Sequence, residues 1–283
     1  MPVQSILSYD TCVHAIAGSA GSIVAMSTFY PLDTIRFRKQ IEDTDKDNRG
    51  TLKVLRKLLE TEGLSSLYSG ILPVLTSLGV SNFIYFYTFH GLKSLLKTSV
   101  KNDLALGILA GLTNVLLTTP LWVVNSRLKV KKEVPYIGLI DGLMYVARTE
   151  GVSSLWSGIH PSLILVINPA LQFAIYEALK RNTTSKTSLA VFVMGALAKS
   201  ISTIMTYPLQ LAQTRQRYGK DSRMSMLAML LSILKKGGPK GLYQGLEAKL
   251  LQTVFTAALM FVTYEKIFRF IVVLLMHKPT KVR

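Results

Sequence analysis

One cysteine, Cys12, stands in 283 residues. A single thiol excludes an internal disulfide framework and a cysteine-built metal site. Acidic residues are also few: 16 Asp and Glu face 33 Lys and Arg, for a net charge of +17. No paired histidines offer a metal site, and neither a Gly-x4-Gly-Lys-Ser/Thr phosphate loop nor a nucleophile elbow is present. The chain therefore reads as no enzyme, with no cofactor or metal of its own. The lead Met1–Asp10 carries neither an Arg-rich amphipathic pattern nor a cleavable signal, and the end Lys278–Arg283 is not a Ser-Lys-Leu address.

Charge is missing altogether over long stretches. Thr11–Leu32 runs 22 residues without Asp, Glu, Lys or Arg, Gly70–Leu92 runs 23, Leu104–Val124 runs 21 and Ile159–Tyr176 runs 18. Ser200–Thr214 and Leu250–Tyr264 are shorter, the former following a lone Lys199 in an apolar stretch from Leu189. A spanning helix needs about 20 mainly apolar residues. Six spans are expected, hence an all-α membrane protein. The alternative, six buried helices of a soluble protein, conflicts with how rarely such helices lack charge for so long. In a soluble protein +17 would suggest nucleic acid. Here the charges cluster between the apolar runs, which points to anionic headgroups at the surface helices or to anionic cargo. No base-reading motif accompanies them, so no nucleic-acid partner is expected.

What is present is a motif written three times. Pro31-Leu-Asp33-Thr-Ile-Arg36-Phe-Arg38, Pro120-Leu-Trp122-Val-Val-Asn125-Ser-Arg127 and Pro208-Leu-Gln210-Leu-Ala-Gln213-Thr-Arg215 have prolines 89 and 88 residues apart. A second marker follows each: Glu62-Gly63 to Tyr68-Ser-Gly70, Glu150-Gly151 to Trp156-Ser-Gly158, and Gly237-Gly238 to Tyr243-Gln-Gly245. Its last glycine lies 39, 38 and 37 residues beyond its proline. The chain is a tripled unit, with repeats 1–98, 99–184 and 185–283 and two spans in each. Between the spans lies a short amphipathic helix. Leu52, Leu55, Leu58 and Leu59 fall at helical spacing around Lys53, Arg56 and Lys57, and Tyr136–Thr149 and Met224–Lys236 are the counterparts. Six spans place both chain ends on one side and these helices on the other.

Pro31, Pro120 and Pro208 each remove a backbone hydrogen bond and kink an odd-numbered span. Polar groups follow each kink, and inside a membrane such groups face a partner or a water-filled cavity. Three kinked spans around a pseudo-threefold axis would gather them at one end of a helical barrel.

These motifs resemble those of the mitochondrial carrier family over essentially the whole chain. The family pattern is Pro-x-Asp/Glu-x-x-Lys/Arg three times, with the Glu-Gly to aromatic-x-Gly marker. The resemblance implies six tilted helices around a central cavity, three matrix-side surface helices, a monomer, and exchange of anionic metabolites or nucleotides by alternating access. It implies a matrix-side gate pairing Asp33 with Asn125, Trp122 with Gln213, and Gln210 with Arg36. None of these is a full ion pair, so a weak gate is expected, and with it easier reorientation without counter-substrate than in a strict exchanger. It implies a cytosolic-side gate pairing Lys93 with Glu177, Lys180 with Glu265, and His90 with Phe268, the last pair having lost both charges together.

Finer similarity points to the peroxisomal branch of the family, whose members carry CoA, FAD, NAD and adenine nucleotides. It lies in Ser81–Phe89, Leu116–Asn125, Asn168-Pro-x-x-Gln172-Phe173 and Gly245–Thr253. The expected function is transport of CoA, FAD, FMN, NAD or AMP/ADP across the peroxisomal membrane, by counter-exchange. The nearest alternative is a mitochondrial inner-membrane carrier for NAD, FAD or folate, or pyrimidine nucleotides. From another class comes a non-transporting membrane interaction protein with a closed pore. By analogy the cavity contact points fall at Ser77, Ile164 to Asn168, and Thr253.

Among candidate cargo residues Lys199 stands out. A charge near the middle of a span costs at least about 2.5–3.5 kcal/mol on insertion scales and is a functional hypothesis by default; cargo phosphate is the preferred partner, a protein carboxylate the other. Asn168 and Gln172 offer amides to a base, or satisfy backbone freed by Pro169. Lys249 and Glu247, one turn into the sixth span, either pair with other residues or line the cargo route. Arg36, Arg127 and Arg215 lie deeper toward the matrix-side mouth, where Arg127 and Arg215 suit lipid headgroups. His14 reads as a packed polar side chain.

Overall fold

A computed structural model describes residues 24–41, 50–96, 103–130, 134–183, 187–219 and 224–259. The described residues are helical with no strand. Helix α1, Tyr30–Ile41, follows a turn of helix at 24–28 and a break at Phe29. Then come α2 Thr51–Glu62, α3 Ile71–Leu96, α4 Asp103–Leu128, α5 Leu139–Thr149, α6 Ile159–Leu165, α7 Asn168–Arg181, α8 Ser188–Tyr218 and α9 Met226–Leu242. A last helix, α10, covers 246–259. Helices α6 and α7 form one span in two pieces, parted just before Pro169, whose ring cannot donate to the Leu165 carbonyl.

Four helical stretches are long and apolar enough to cross a membrane: Leu64–Lys93, Asp103–Leu128, Val152–Arg181 and Leu189–Tyr218. The first and sixth expected spans fall partly outside the described residues. Most of each stretch is unburied, and Phe83, Phe86, Tyr87, Leu104 and Leu117 are more than half exposed. An apolar exterior of this extent inverts the pattern of a soluble bundle and suits lipid. Hydroxyls within the spans fold back on their own helices, as Thr76 on the Leu72 carbonyl, Ser126 on Trp122 and Ser200 on Ala196, so few need an outside partner.

The three surface helices dock in the same way. Val54 and Leu58 of α2 bury against Ile35 and Leu67; Val146 of α5 against Val124, Leu128 and Leu155; Met229 and Ile233 of α9 against Leu211 and Ala212. Each small core therefore fastens a surface helix to the odd span of its own repeat. Ion pairs reinforce two of the three. Arg38 Nη2 lies 3.0 Å from Glu62, and Arg127 grips Glu150 with both terminal nitrogens. The third repeat has Gly237 in place of the acid, and Arg215 instead donates to the Gln40 carbonyl at 2.7 Å and to Gln244 Oε1 at 3.3 Å. Arg127 and Arg215 are thus buried in protein contacts, which corrects their assignment to lipid headgroups.

The marker glycines close the ring. Gly70, Gly158 and Gly245 have φ of +74°, +80° and +86°, a region open to glycine at no steric cost. Each sits against the odd span of the next repeat: Gly70 on Leu128 and Lys129, Gly158 on Gln213 and Arg217, Gly245 on Arg36 and Gln40. A Cβ on Gly245 would stand 2.9 Å from Tyr207 Oη and 3.1 Å from the Arg36 carbonyl oxygen. Gly245→Ala should therefore lower the melting temperature of the purified carrier, the left-handed backbone alone costing about 1–2 kcal/mol. Gly79→Ala, inside α3 with nothing within 4 Å, is the control and should be neutral or mildly stabilising.

Aromatics bridge proline and glycine markers within a repeat. Tyr30 and Tyr207, just before Pro31 and Pro208, donate to the carbonyls of Ser69 and Gln244 at 2.9 and 2.8 Å. Thr119 replaces that tyrosine in the second repeat, and the donor comes from the other side. Trp156 Nε1 reaches the Leu116 carbonyl at 2.9 Å, the acceptor that Pro120 leaves without its helical donor.

Candidate functional site

The lower ends of α1, α4 and α8 converge around Asp33, a carboxylate only 4% exposed. Arg36 Nη2 lies 2.9 Å from it on the same helix, and Lys129 Nζ pairs with its other oxygen across the barrel. The ammonium also lies over the rings of Tyr30 and Phe37, at 5.4 and 5.3 Å from their centroids. The guanidinium of Arg217 covers Trp122 at 6.0 Å and donates to Ser162 Oγ at 3.1 Å. Gln40 Nε2 donates to Tyr207 Oη at 3.1 Å.

These three links follow one rule that differs from the expected pairing. Gln40, Lys129 and Arg217 each stand nine residues past their repeat's proline, and each reaches the proline end of the preceding repeat in cyclic order. The expected partners stand five past it. Asn125 does not bond Asp33, and neither of its amide atoms has a partner among the described residues. Gln213 turns from Trp122 to Ser162 Oγ at 2.8 Å, and Gln210 bonds Thr206 Oγ1 at 3.1 Å rather than Arg36. The reason is reach and chemistry. Positions five and nine are one helical turn apart on the same face. Lys129 brings the charge that Asn125 lacks. Trp122 offers a π face that attracts a cation and gives an amide no acceptor. The expectation of a gate without a full ion pair is corrected accordingly: Asp33–Lys129 is one, and it is buried.

At the other end of the barrel the expected cross-barrel pair is not formed. Lys93 Nζ lies 2.8 Å from Asp103, and Glu177 lies 3.5 Å from Lys180 on its own helix. His90 packs on Phe86 and Phe89. Glu265 and Phe268 lie outside the described residues, as does His14. Asp33 and Lys129 are thus joined at one end of the barrel, while Lys93 and Glu177 are apart at the other.

Among the described residues around Lys249, cations outnumber acids. Lys249 feels the charges of Arg36, Lys129, Lys199 and Asp33, four cations and one carboxylate counting Lys249 itself. Among the described residues neither Lys199 nor Lys249 has a carboxylate partner. Asp33 is committed to Arg36 and Lys129, so among the described residues the two lysines have no carboxylate within ion-pair distance. Of the two alternatives for Glu247, pairing with other residues is the one observed. Glu247 is largely exposed, lies 3.6 Å from Lys39, and accepts from the backbone N of Thr51 at 3.2 Å, so it holds the start of α2.

The remaining candidates spread over several helices. Ser77 is fully buried and its hydroxyl has no partner among the described residues. Asn168 Nδ2 donates to Thr206 at 3.3 Å while its Oδ1 is unpartnered, and Gln172 is half-buried one turn on. Thr253 folds back on the Lys249 carbonyl at 2.8 Å, and Ile164 is partly exposed. A cavity of about 530 Å³ occupies the space between α3, α4 and the α6–α7 span, and Gln213 lies at its edge. Most of its lining, Tyr85 and Asn114 included, carried no assignment from the sequence. Asn114, an amide inside an uncharged run, was the available signal.

A described cluster of His, Cys, Asp or Glu suited to a metal is absent. Comparison with known proteins agrees with this architecture. The family described as "Mitochondrial carrier protein" matches three times, over residues 8–100, 96–187 and 184–273. Peroxisomal membrane protein PMP34 of Mus musculus is 47% identical, covering 94% of this chain and 95% of its own length. The peroxisomal nicotinamide adenine dinucleotide carrier of Arabidopsis thaliana is 28% identical, covering 91% and 95%. Peroxisomal adenine nucleotide carrier 1 of Glycine max is 28% identical, covering 91% of each chain. Members of this family are transporters rather than enzymes. The tripled fold, the ring of proline and glycine markers and these matches make the chain an integral membrane protein of the mitochondrial carrier family, similar to its peroxisomal members.

Proposed function

We propose that this protein carries nucleotide-type cofactors, namely CoA, FAD, FMN, NAD and AMP/ADP, across the peroxisomal membrane by alternating access and counter-exchange. The observation that carries this reading is that Lys199 and Lys249, in the span region with Arg36 and Lys129, have no carboxylate ion-pair partner among the described residues. An unpaired charge there is costly, and its retention is explained by an anionic cargo that supplies the missing partner. Phosphate groups suit ammonium ions and guanidinium forks. The named cargoes of the plant relatives, NAD and adenine nucleotide, are anions of this kind. The buried Asp33–Lys129 pair gives the carrier a definite closed state on one side, which suits exchange better than free reorientation.

A thermal-stability screen of the detergent-purified protein tests this reading. Cargo that binds the folded state at a hundred times its dissociation constant should stabilise it by about 2.7 kcal/mol. CoA, FAD, NAD and AMP are expected to raise the melting temperature, with malate and citrate as anionic controls without a base. Stabilisation by the controls alone would overturn the nucleotide reading, and no stabilisation by any anion would favour a non-transporting membrane protein.

A further inference from the structure

The cavity between α3 and α4 has a different chemistry from the lysine cluster. Its α3 wall carries Tyr85 and Phe89, one turn apart, with rings nearly parallel at 10° and centroids 6.4 Å apart. They form a continuous aromatic strip. The facing α4 wall presents Gly107 and Gly111. A Cβ on Gly107 would lie 3.4 Å from the Tyr85 hydroxyl, and one on Gly111 would come within 2.7 Å of Val166, so both glycines let neighbouring spans approach α4 closely. Asn82 and Asn114 supply amides at the border. Asn114 accepts from Ser81 Oγ at 3.0 Å through Oδ1, and its amide N–H groups bond no described residue. Ser162 and Gln213, bonded at 2.8 Å and close to the Arg217–Trp122 link, also line the cavity. A space of about 530 Å³ falls within the range that holds small-molecule ligands.

Among the described residues no cation lines this space, and its one charged residue, the carboxylate Asp103, pairs with Lys93. An aromatic strip, a flat glycine wall and free amide donors instead suit a planar, weakly charged heterocycle. Such a ring stacks on an aromatic face and is read at its edge by amides. The lysines belong to α8 and α10, on other walls of the barrel. We propose that this cavity receives the base or flavin ring of the cargo, with Tyr85 as the stacking face and Asn114 as the edge donor, while Lys199 and Lys249 take the phosphates. This proposal rests on the nucleotide reading above. It places the ring next to Ser162–Gln213, so that ring occupancy touches the gate directly.

The test compares AMP with ribose 5-phosphate, which keeps the phosphate and lacks the ring. Binding of each is measured calorimetrically on wild type, Tyr85→Leu, Tyr85→Phe and Asn114→Leu. Tyr85→Leu should weaken AMP about 5- to 100-fold, the usual range for loss of base stacking, and leave ribose 5-phosphate unchanged. Tyr85→Phe should retain AMP affinity, and Asn114→Leu should reduce the preference for AMP over IMP. Equal losses for both ligands in Tyr85→Leu would make Tyr85 a packing residue and overturn the assignment; unchanged AMP binding in all three variants would also overturn it. Wild type that binds ribose 5-phosphate as tightly as AMP would remove the ring site while keeping an anion carrier. Wild type that binds neither would remove the nucleotide reading itself.

Discussion

Asp33→Asn should melt roughly 10 °C below wild type, because removing one partner of a buried ion pair leaves the other charged and unpaired at a cost of about 3–5 kcal/mol. Two cations lose their counter-ion at once, Lys129 from the facing helix and Arg36 from the same one. The adjacent rings of Tyr30 and Phe37 hold Lys129 in place but do not neutralise it. Pairing the change with Lys129→Gln should recover part of the loss, since two buried amides can bond each other and only Arg36 is left without its counter-ion. The same variants have a transport signature. If the Asp33–Lys129 pair closes one side of the barrel, as proposed, its loss should favour opening on that side and raise uptake into vesicles that contain no counter-substrate. Asn125→Ala should change neither property much, because Asn125 makes no bond among the described residues. A large effect at Asn125 with none at Lys129 would restore the pairing five residues past the proline and reject the one nine past it.

Lys199→Met should weaken nucleotide binding by about 10- to 150-fold, the equivalent of the 1.5–3 kcal/mol carried by a hydrogen bond to a charged group. Methionine keeps the length and apolar stem, so helix α8 retains its packing. The variant should also be at least as stable as wild type when no cargo is present, since it removes a desolvated charge without a carboxylate partner. This combination separates a cargo ligand from a structural residue. A lysine that held the fold together would lose stability on substitution, and its binding loss would follow from misfolding. Lys199→Met that is destabilised and still binds AMP with wild-type affinity would remove Lys199 from the site.

The fold was legible because its determinants are local and repeated. Pro31, Pro120 and Pro208, with Gly70, Gly158 and Gly245, recur at nearly constant distance, and the uncharged runs between them announce spans. Lys199 stood out in the sequence in a similar way, as a lone charge in an apolar stretch. The contacts at the proline ends were legible only to the helix face. Asn125 and Lys129 share that face, one turn apart, and the choice between them depends on side-chain length and on what the facing helix offers. Asp33 selects the ammonium; Trp122 selects the guanidinium of Arg217 through its ring, while Gln213 finds Ser162. Glu247 stands one turn inside the sixth span, where the sequence leaves pairing and the cargo route both open. Its partners, Lys39 and the Thr51 backbone, come from the first repeat almost two hundred positions away, a distance at which spacing carries no signal. Trp156 likewise finds its acceptor through Pro120, and Tyr85 lies against Gly107 on a neighbouring span.

The most direct test of the central claim is uptake of labelled AMP into liposomes holding the purified protein, loaded with CoA, NAD or buffer. Uptake that depends on internal CoA or NAD, and that falls at least about tenfold in Lys199→Met, is the predicted result. Folded protein that moves no nucleotide under any loading would contradict the account, whatever other anion it carried.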